Sequence, residues 1–313
     1  MPFTAKSGKF SARINAVEVG TGEKAIKIGG ENTLPFYSFD DTAANTQKIG
    51  IEITDGGIDA EPECIRKYYE GCTTVAEMAK KAATFEGVDF ISIRLEGGDP
   101  NGQNKSTEEL VAIVKEVAEA VDLPLAICGC KNGEKDAELL DKVAAALAGK
   151  NAMILSSKEE NYKTIGASAG LAYKQIVGAE SAVDINLAKQ LNVLLTQLGV
   201  DAKSIIMNVG TASAGYGFEY AISTMDRVKA AALAQGDTTL QMPIITPVGS
   251  ETWGVKESVS SEEDTPEWGN LEERGISMEV QTAAAVLAAA SDAVILRHPE
   301  SVKTVSKLVN ALN

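Results

Sequence analysis

Short aliphatic runs alternate with amphipathic stretches from residue 48 to the end of the chain. An apolar run of this length reads as a buried strand. A stretch with apolar residues three and four apart reads as a helix packed on one face. The spacing predicts strands at 48–53, 90–95, 125–128, 152–155, 175–177, 204–208, 244–246 and 293–296. Helices are predicted after them at 75–85, 107–121, 137–147, 162–173, 185–198, 219–234, 274–290 and 300–312. Ser106 with Glu109 has the capping-box spacing, and Asp184 and Gly199 suit the two ends of the helix between them. A hairpin at 16–19 and 25–28, turned at Thr21-Gly22, precedes the first unit.

Eight strand–helix units with no break in composition predict an α/β fold of the (β/α)8 TIM-barrel class. The expected organisation is a single domain over 1–313, with a hairpin extension at 1–47 and the barrel at 48–313. Two open α/β domains are the alternative, but no glycine-rich fingerprint follows the first strand. The polar stretch from Pro247 to Glu273, with Trp253 and Trp268, is long for a plain connection and reads as a lid or contact surface.

Two strands carry a charge in mid-run. Ile51-Glu52-Ile53 and Ile91-Ser92-Ile93-Arg94-Leu95 alternate, so each charge points away from its isoleucines. On neighbouring strands of a barrel this places the isoleucines toward the helices, and Glu52 and Arg94 inside, close enough to pair. A lone charge there would be very costly.

A formal charge of −15 opposes binding to nucleic acid or to an anionic membrane surface. No apolar run reaches the roughly 20 residues that cross a bilayer, and the opening residues lack the apolar core of a secretory signal. A cytoplasmic location is expected. Cys64, Cys72, Cys128 and Cys130 have neither a disulfide context nor the two-residue gaps of zinc or iron–sulfur sites. Cys128 is expected to end a buried strand, with Cys130 in the loop after it.

Functional groups of such barrels gather at the carboxyl ends of the strands. Those ends read Thr54-Asp55, Glu96-Gly97-Gly98-Asp99-Pro100, Gly129-Cys130, Ser156-Ser157 with Asn161, Asn208, Thr246-Pro247 and Arg297-His298. The rim is polar but offers no Ser–His–acid set and no strand-end lysine. Asp55, Glu96 and Asp99 could act as acid and base or hold magnesium, though turn and cap roles explain them equally well. His298 is the single histidine of the chain and is expected to be a satisfied rim residue beside Pro299.

In this order, several segments make up a recognisable series: Thr33-Leu34-Pro35-Phe36, Gly97-Gly98-Asp99-Pro100, Cys128-Gly129-Cys130, Glu160-Asn161-Tyr162, Asp184-Ile185-Asn186, Lys189-Gln190-Leu191-Asn192, Gly215-Tyr216-Gly217, Glu273-Arg274-Gly275 and Arg297-His298-Pro299-Glu300. The chain resembles the small subunit of the corrinoid iron–sulfur protein, the delta-subunit family of the acetyl-CoA decarbonylase/synthase complex. The resemblance implies a non-catalytic barrel that binds no cofactor alone. Its partner would be the large subunit of the corrinoid iron–sulfur protein, whose cobalamin lies over the barrel mouth. It further implies methyl transfer from a methyltetrahydrofolate methyltransferase to carbon monoxide dehydrogenase/acetyl-CoA synthase, as in the Wood–Ljungdahl pathway. The residues expected to face the corrinoid are Asp99, Asn161, Asn208, Tyr216, Thr246 and Arg297, with no catalytic or metal-binding residue.

The chain departs from the family pattern at Asn208-Val209, where an Asp-Pro pair is usual, at Ala214 before Gly215-Tyr216-Gly217, and at Glu96, where Asp is common. The alternative function is a stand-alone pterin-dependent methyltransferase, with Asp55, Asn161, Asp184 and Asn208 around the pterin edge.

Overall fold

A computed structural model describes residues 10–36 and 45–313. Residues 1–9 and 37–44 of the predicted extension lie outside the described residues. Two short strands, β1 (Val17–Val19) and β2 (Ile26–Ile28), pair antiparallel, with Val17 opposite Ile28 and Val19 opposite Ile26. A 3-10 turn at Gly22–Lys24 joins them, so the connection is longer than a Thr-Gly turn alone.

Eight parallel strands follow: β3 (Lys48–Thr54), β4 (Phe90–Arg94), β5 (Leu125–Cys128), β6 (Met153–Ser157), β7 (Ile176–Glu180), β8 (Ile205–Asn208), β9 (Ile245–Pro247) and β10 (Ala293–Leu296). Each pairs with its sequence neighbours, and β10 returns to β3. A parallel bridge between Met207 and Ile244 joins β8 to β9 and completes the ring. This is the (β/α)8 barrel that the pattern predicts.

Strand alternation divides the core into two layers. Ile51, Ile53, Ile91 and Ile93 join the cluster shared with the helices, whereas Phe90, Cys128, Met153, Leu155, Ile206 and Ile295 form an inner cluster. Val17, Val19 and Ile28 belong to the inner cluster too, so the hairpin seals the amino end of the barrel. The seal is tight: a Cβ at Gly50 would lie 2.2 Å from the Phe90 ring. Beside it, buried Lys229 bridges Glu31, just after the hairpin, and Asp292, just before β10, whose carboxylate also accepts the Ile244 N–H at 2.7 Å.

The helices keep the predicted order but differ in places. The helix after β5 starts at Gly133, where Asn132 accepts the Lys135 N–H. Short helices at Gly57–Ala60, Glu63–Arg66 and Lys67–Tyr69 precede the helix at Val75–Ala82. The predicted helix at 162–173 is α-helical at Tyr162–Ile165 and widens to a π-helix at Gly166–Ala172. Gly166 and Gly170 there press against Leu195, Leu198 and Val200, where a Cβ would come within 3.0 Å. The stretch after β9 is not a plain loop but folds into short helices at Gly249–Thr252 and Lys256–Val259 and a 3-10 turn at Pro266–Trp268. The helix after it begins at Leu271 because Asn270 accepts the Glu273 N–H and caps it three residues early. Among the described residues no helix is long and apolar enough to cross a membrane.

Candidate functional site

The carboxyl ends of β4 to β9 surround an open cavity of about 500 Å³. Inward alternation in β7 runs Ile176, Gly178, Glu180 and delivers the Glu180 carboxylate to the mouth. The β6–β7 register shifts between Ile154 and Ser157, and Ser156 adopts φ 67°. Lys131, after β5, adopts φ 70°. Left-handed backbone at non-glycine residues costs energy, and here it turns Ser156 and Lys131 to line the cavity.

The cations of the mouth are matched to acids. Arg94 donates through Nε and Nη2 to one oxygen of Glu52, at 2.9 and 2.8 Å, and both side chains are almost fully buried. The inward pair foreseen from strand alternation is therefore present. Burial disfavours charge on Arg94, but Glu52, with Cys128 and Glu96 adding, holds its pKa above the ordinary value. Lys158 meets Glu180 at 3.3 Å, and Lys131 reaches Glu251 at 3.5 Å. Burial pushes the Cys128 thiol up to about 11, which keeps it protonated. Ser181, also lining the mouth, has a buried hydroxyl oxygen with no hydrogen-bond partner.

The six expected site residues do not converge. Asn208 ends β8 and lines the cavity, its Oδ1 accepting the Gly210 N–H at 3.0 Å. Asn161 sits behind the wall, accepting the Lys158 N–H at 2.7 Å and donating to the Ser156 carbonyl at 3.3 Å, which braces the bulge. Asp99 is half-buried in the loop after β4 and accepts the Asn101 N–H at 2.9 Å. Tyr216 is exposed and donates to Glu257 at 2.5 Å. Thr246 stands in register with Val294 on the outward side of the wall, fully buried, 2.8 Å from the Ser291 hydroxyl. Arg297 turns to the loop after β3, donating to Glu61 at 2.7 Å and to the Ala60 carbonyl at 3.2 Å.

Lys131, Lys158, Glu180, Ser181 and Glu251 also line the cavity, and none of them stands among the residues expected there. Continuing the alternation past Val177 would have found Glu180, because glycine at 178 broke the apolar run without ending the strand. The other four lie at or beyond strand ends and carry no periodic signal.

The four residues cast around a pterin edge are also dispersed. Asp55 accepts from Lys105 at 2.6 Å and from the Gly97 N–H at 2.8 Å, and Asp184 caps the helix at Ile185–Leu198. All four cysteines are free, and among the described residues no group of three His, Cys, Asp or Glu side chains is placed to hold a metal.

His298 caps the last helix. Its Nδ1 accepts the Glu300 N–H at 3.1 Å, which leaves Nε2 to donate to Glu272 at 3.1 Å. The ring stacks on Trp253 at 5.6 Å and meets Tyr68 edge-on at 5.0 Å. Burial, opposed by Glu272, lowers its pKa to about 4. Fully buried Glu279 accepts the backbone N–H groups of Arg297 and His298, at 2.5 and 3.2 Å, and fixes this corner of the rim.

Comparison with known proteins agrees with this architecture. A family described as CO dehydrogenase/acetyl-CoA synthase delta subunit matches residues 16–310. The chain is 33% identical to the acetyl-CoA decarbonylase/synthase complex subunit delta of Archaeoglobus fulgidus, over 94% of this chain and 65% of that protein. It is 35% identical to subunit delta 1 of Methanosarcina thermophila, over 94% of this chain and 67% of that one. The chain thus spans about two thirds of the length of these relatives. Among solved structures it is similar to a dihydropteroate synthase from Xanthomonas albilineans with 4-aminobenzoic acid, at TM-score 0.57 and 13% identity, over 95% of this chain and 98% of that one. The Yersinia pestis dihydropteroate synthase with a sulfonamide drug gives TM-score 0.56 at 12% identity, over 85% and 93%. Likeness at this identity establishes the barrel fold alone.

Proposed function

The chain belongs to the CO dehydrogenase/acetyl-CoA synthase delta-subunit family, and from that premise we propose that it is the small subunit of a corrinoid iron–sulfur protein, covering a cobalamin held by a larger subunit. In this reading the pair carries a methyl group from methyltetrahydrofolate, through its methyltransferase, to acetyl-CoA synthase. The methyl-carrying metal chemistry belongs to the corrinoid when it is bound.

The observation that carries the proposal is the polar mouth cavity, in which Arg94, Lys131 and Lys158 each meet an acid and Glu159 and Glu160 add further carboxylates. A corrin ring is broad and edged with amide groups, which call for hydrogen-bond donors and acceptors. Asn208, Ser181, Thr211 and Ser250 supply such groups around the cavity, and Lys131 and Lys158 add ammonium donors. The unpartnered hydroxyl of Ser181 is suited to a ligand oxygen. These residues would hold the ring edge and exclude water from the reactive face. Asp99, Asn161, Tyr216, Thr246 and Arg297 would act behind or beside that surface, and Asn208 on it.

Hydrogen exchange of the chain, alone and with the corrinoid-loaded larger subunit, tests the proposal. The expected result is protection of the segments at 129–133, 156–160, 180–183, 208–211 and 248–251, with the β1–β2 hairpin unchanged. Protection confined to the outer helices would overturn it. For a stand-alone pterin enzyme, calorimetry of the isolated chain with methyltetrahydrofolate would instead give saturable heat. The engagement of Asp55, Asn161 and Asp184 in local structure favours the first reading.

A further inference from the structure

A second cleft, of about 800 Å³, lies between the loop after β3 and the helical segment after β9 and shares no lining residue with the mouth. Its walls carry five carboxylates, Asp59, Glu61, Glu63, Glu262 and Glu272, against the guanidinium groups of Arg66 and Arg297. Both guanidiniums are turned onto the wall itself. Arg66 donates to the Glu61 and Asp59 carbonyls at 2.7 and 3.0 Å, and Arg297 to the Glu61 carboxylate and the Ala60 carbonyl. Glu272 is engaged by Lys67, Tyr68 and His298. The remaining acids leave the cleft with an excess of negative charge.

Three buried side-chain atoms lining the cleft lack partners: the Trp253 indole N–H, a donor, and one oxygen each on Glu61 and Ser258. Glu61 is 2% exposed, and while one of its oxygens holds Arg297, the other has no hydrogen-bond partner. Ser258 is 0% exposed and its hydroxyl oxygen has none either. Buried acceptors without donors are rare in folded proteins because their lost hydration is not replaced. Next to them the lining is apolar: Val259 is 50% exposed, with Leu271 and Trp253 alongside.

We infer that this cleft receives a lysine or arginine side chain presented by a partner polypeptide. The cationic head would donate to the free oxygen of Glu61 and to Ser258, while its methylene stem would cover Val259 and Leu271. A metal ion is a poor match, since no three ligating side chains converge among the described residues. A free amine would leave Val259 uncovered, whereas a polypeptide covers both parts of the surface. This assignment is independent of what occupies the barrel mouth.

The full chain, titrated with acetyl-Gly-Arg-Gly-amide and with the neutral citrulline analogue, tests the inference through the Trp253 indole N–H resonance, identified from a Trp253→Phe variant. The arginine peptide is expected to give a saturable shift and to bind about tenfold or more tightly than the citrulline peptide. Glu61→Gln is expected to weaken it. Because Glu61 also holds Arg297, the surface variants Glu262→Gln and Asp59→Asn and the Ser258→Ala variant carry the test if Glu61→Gln fails to fold. Equal binding of the citrulline peptide, or unchanged affinity in every folded variant, would overturn the inference. So would the absence of a saturable shift, or spermidine binding as tightly as the peptide, since the latter assigns the cleft to a free amine.

Discussion

The two ends of this barrel use the same eight strands to opposite effect. At the amino end Val17, Val19 and Ile28 complete an apolar cluster with Phe90, Ile206 and Ile245, and the interior is closed. At the carboxyl end the inward positions turn polar, through Arg94, Glu180 and Asn208, and the interior opens into a cavity. Apolar burial is non-directional and rewards filled volume, so the hairpin needs only to fit. Charges need partners in fixed geometry, so the open end is organised as pairs, with Lys229 and its acids the counterpart at the closed end. The molecule thus separates an end built for packing from an end that keeps its polar groups available.

The largest expected effect breaks the carboxyl end. Glu52→Ala leaves Arg94 buried without its carboxylate and should destabilise the fold by about 3–5 kcal/mol in urea denaturation. Replacing both, Glu52→Leu with Arg94→Met, should recover most of that loss. If the double variant is no more stable than the single one, the pair has a role beyond neutralising itself.

Acid should act on the same end next. The folded-state pKa of His298 is depressed to about 4 from an ordinary value near 6.5, so protons bind the unfolded chain more readily. Its contribution is complete above about pH 6.5 and is lost as pH falls toward 4, on the order of 3 kcal/mol. Glu272, whose pKa is lowered by Lys67 and Tyr68 against the effect of burial, adds to the loss in the same direction. His298→Asn keeps an N-cap residue and should flatten the stability profile between pH 6.5 and 4. An unchanged profile would place the acid sensitivity elsewhere.

The smallest effect sharpens the contrast from the closed end. Ile28→Val removes one methylene from the plug and should cost about 0.5–1.5 kcal/mol. It should leave hydrogen exchange at the mouth unaltered, since the two ends share strands but not contacts at Ile28. Faster exchange at 156–160 in this variant would show the ends to be coupled.

The order of elements was legible because periods of two and of 3.6 residues are local signals, and Ile51-Glu52-Ile53 announced its inward charge by the same rule. His298 was legible as a satisfied group, though its partners Trp253 and Glu272 were not. The side on which Thr246 lies was not legible, because in a three-residue strand the pairing with β10 sets which side faces inward. The partner of Arg297 was not legible either, because Glu61 lies 236 residues earlier and reaches it only when β10 closes on β3. Lys131, Lys158 and Glu251 became mouth residues through a backbone twist and loops that meet across the ring.

By itself the sequence determined the eightfold strand–helix order, the hairpin before it and the inward pair of Glu52 and Arg94, since alternation and amphipathicity are written residue by residue. Tertiary structure decided which rim groups share a cavity and which turn to a second cleft. That choice depends on closure of the ring, which brings together loops far apart in the chain and fixes the register at each strand end.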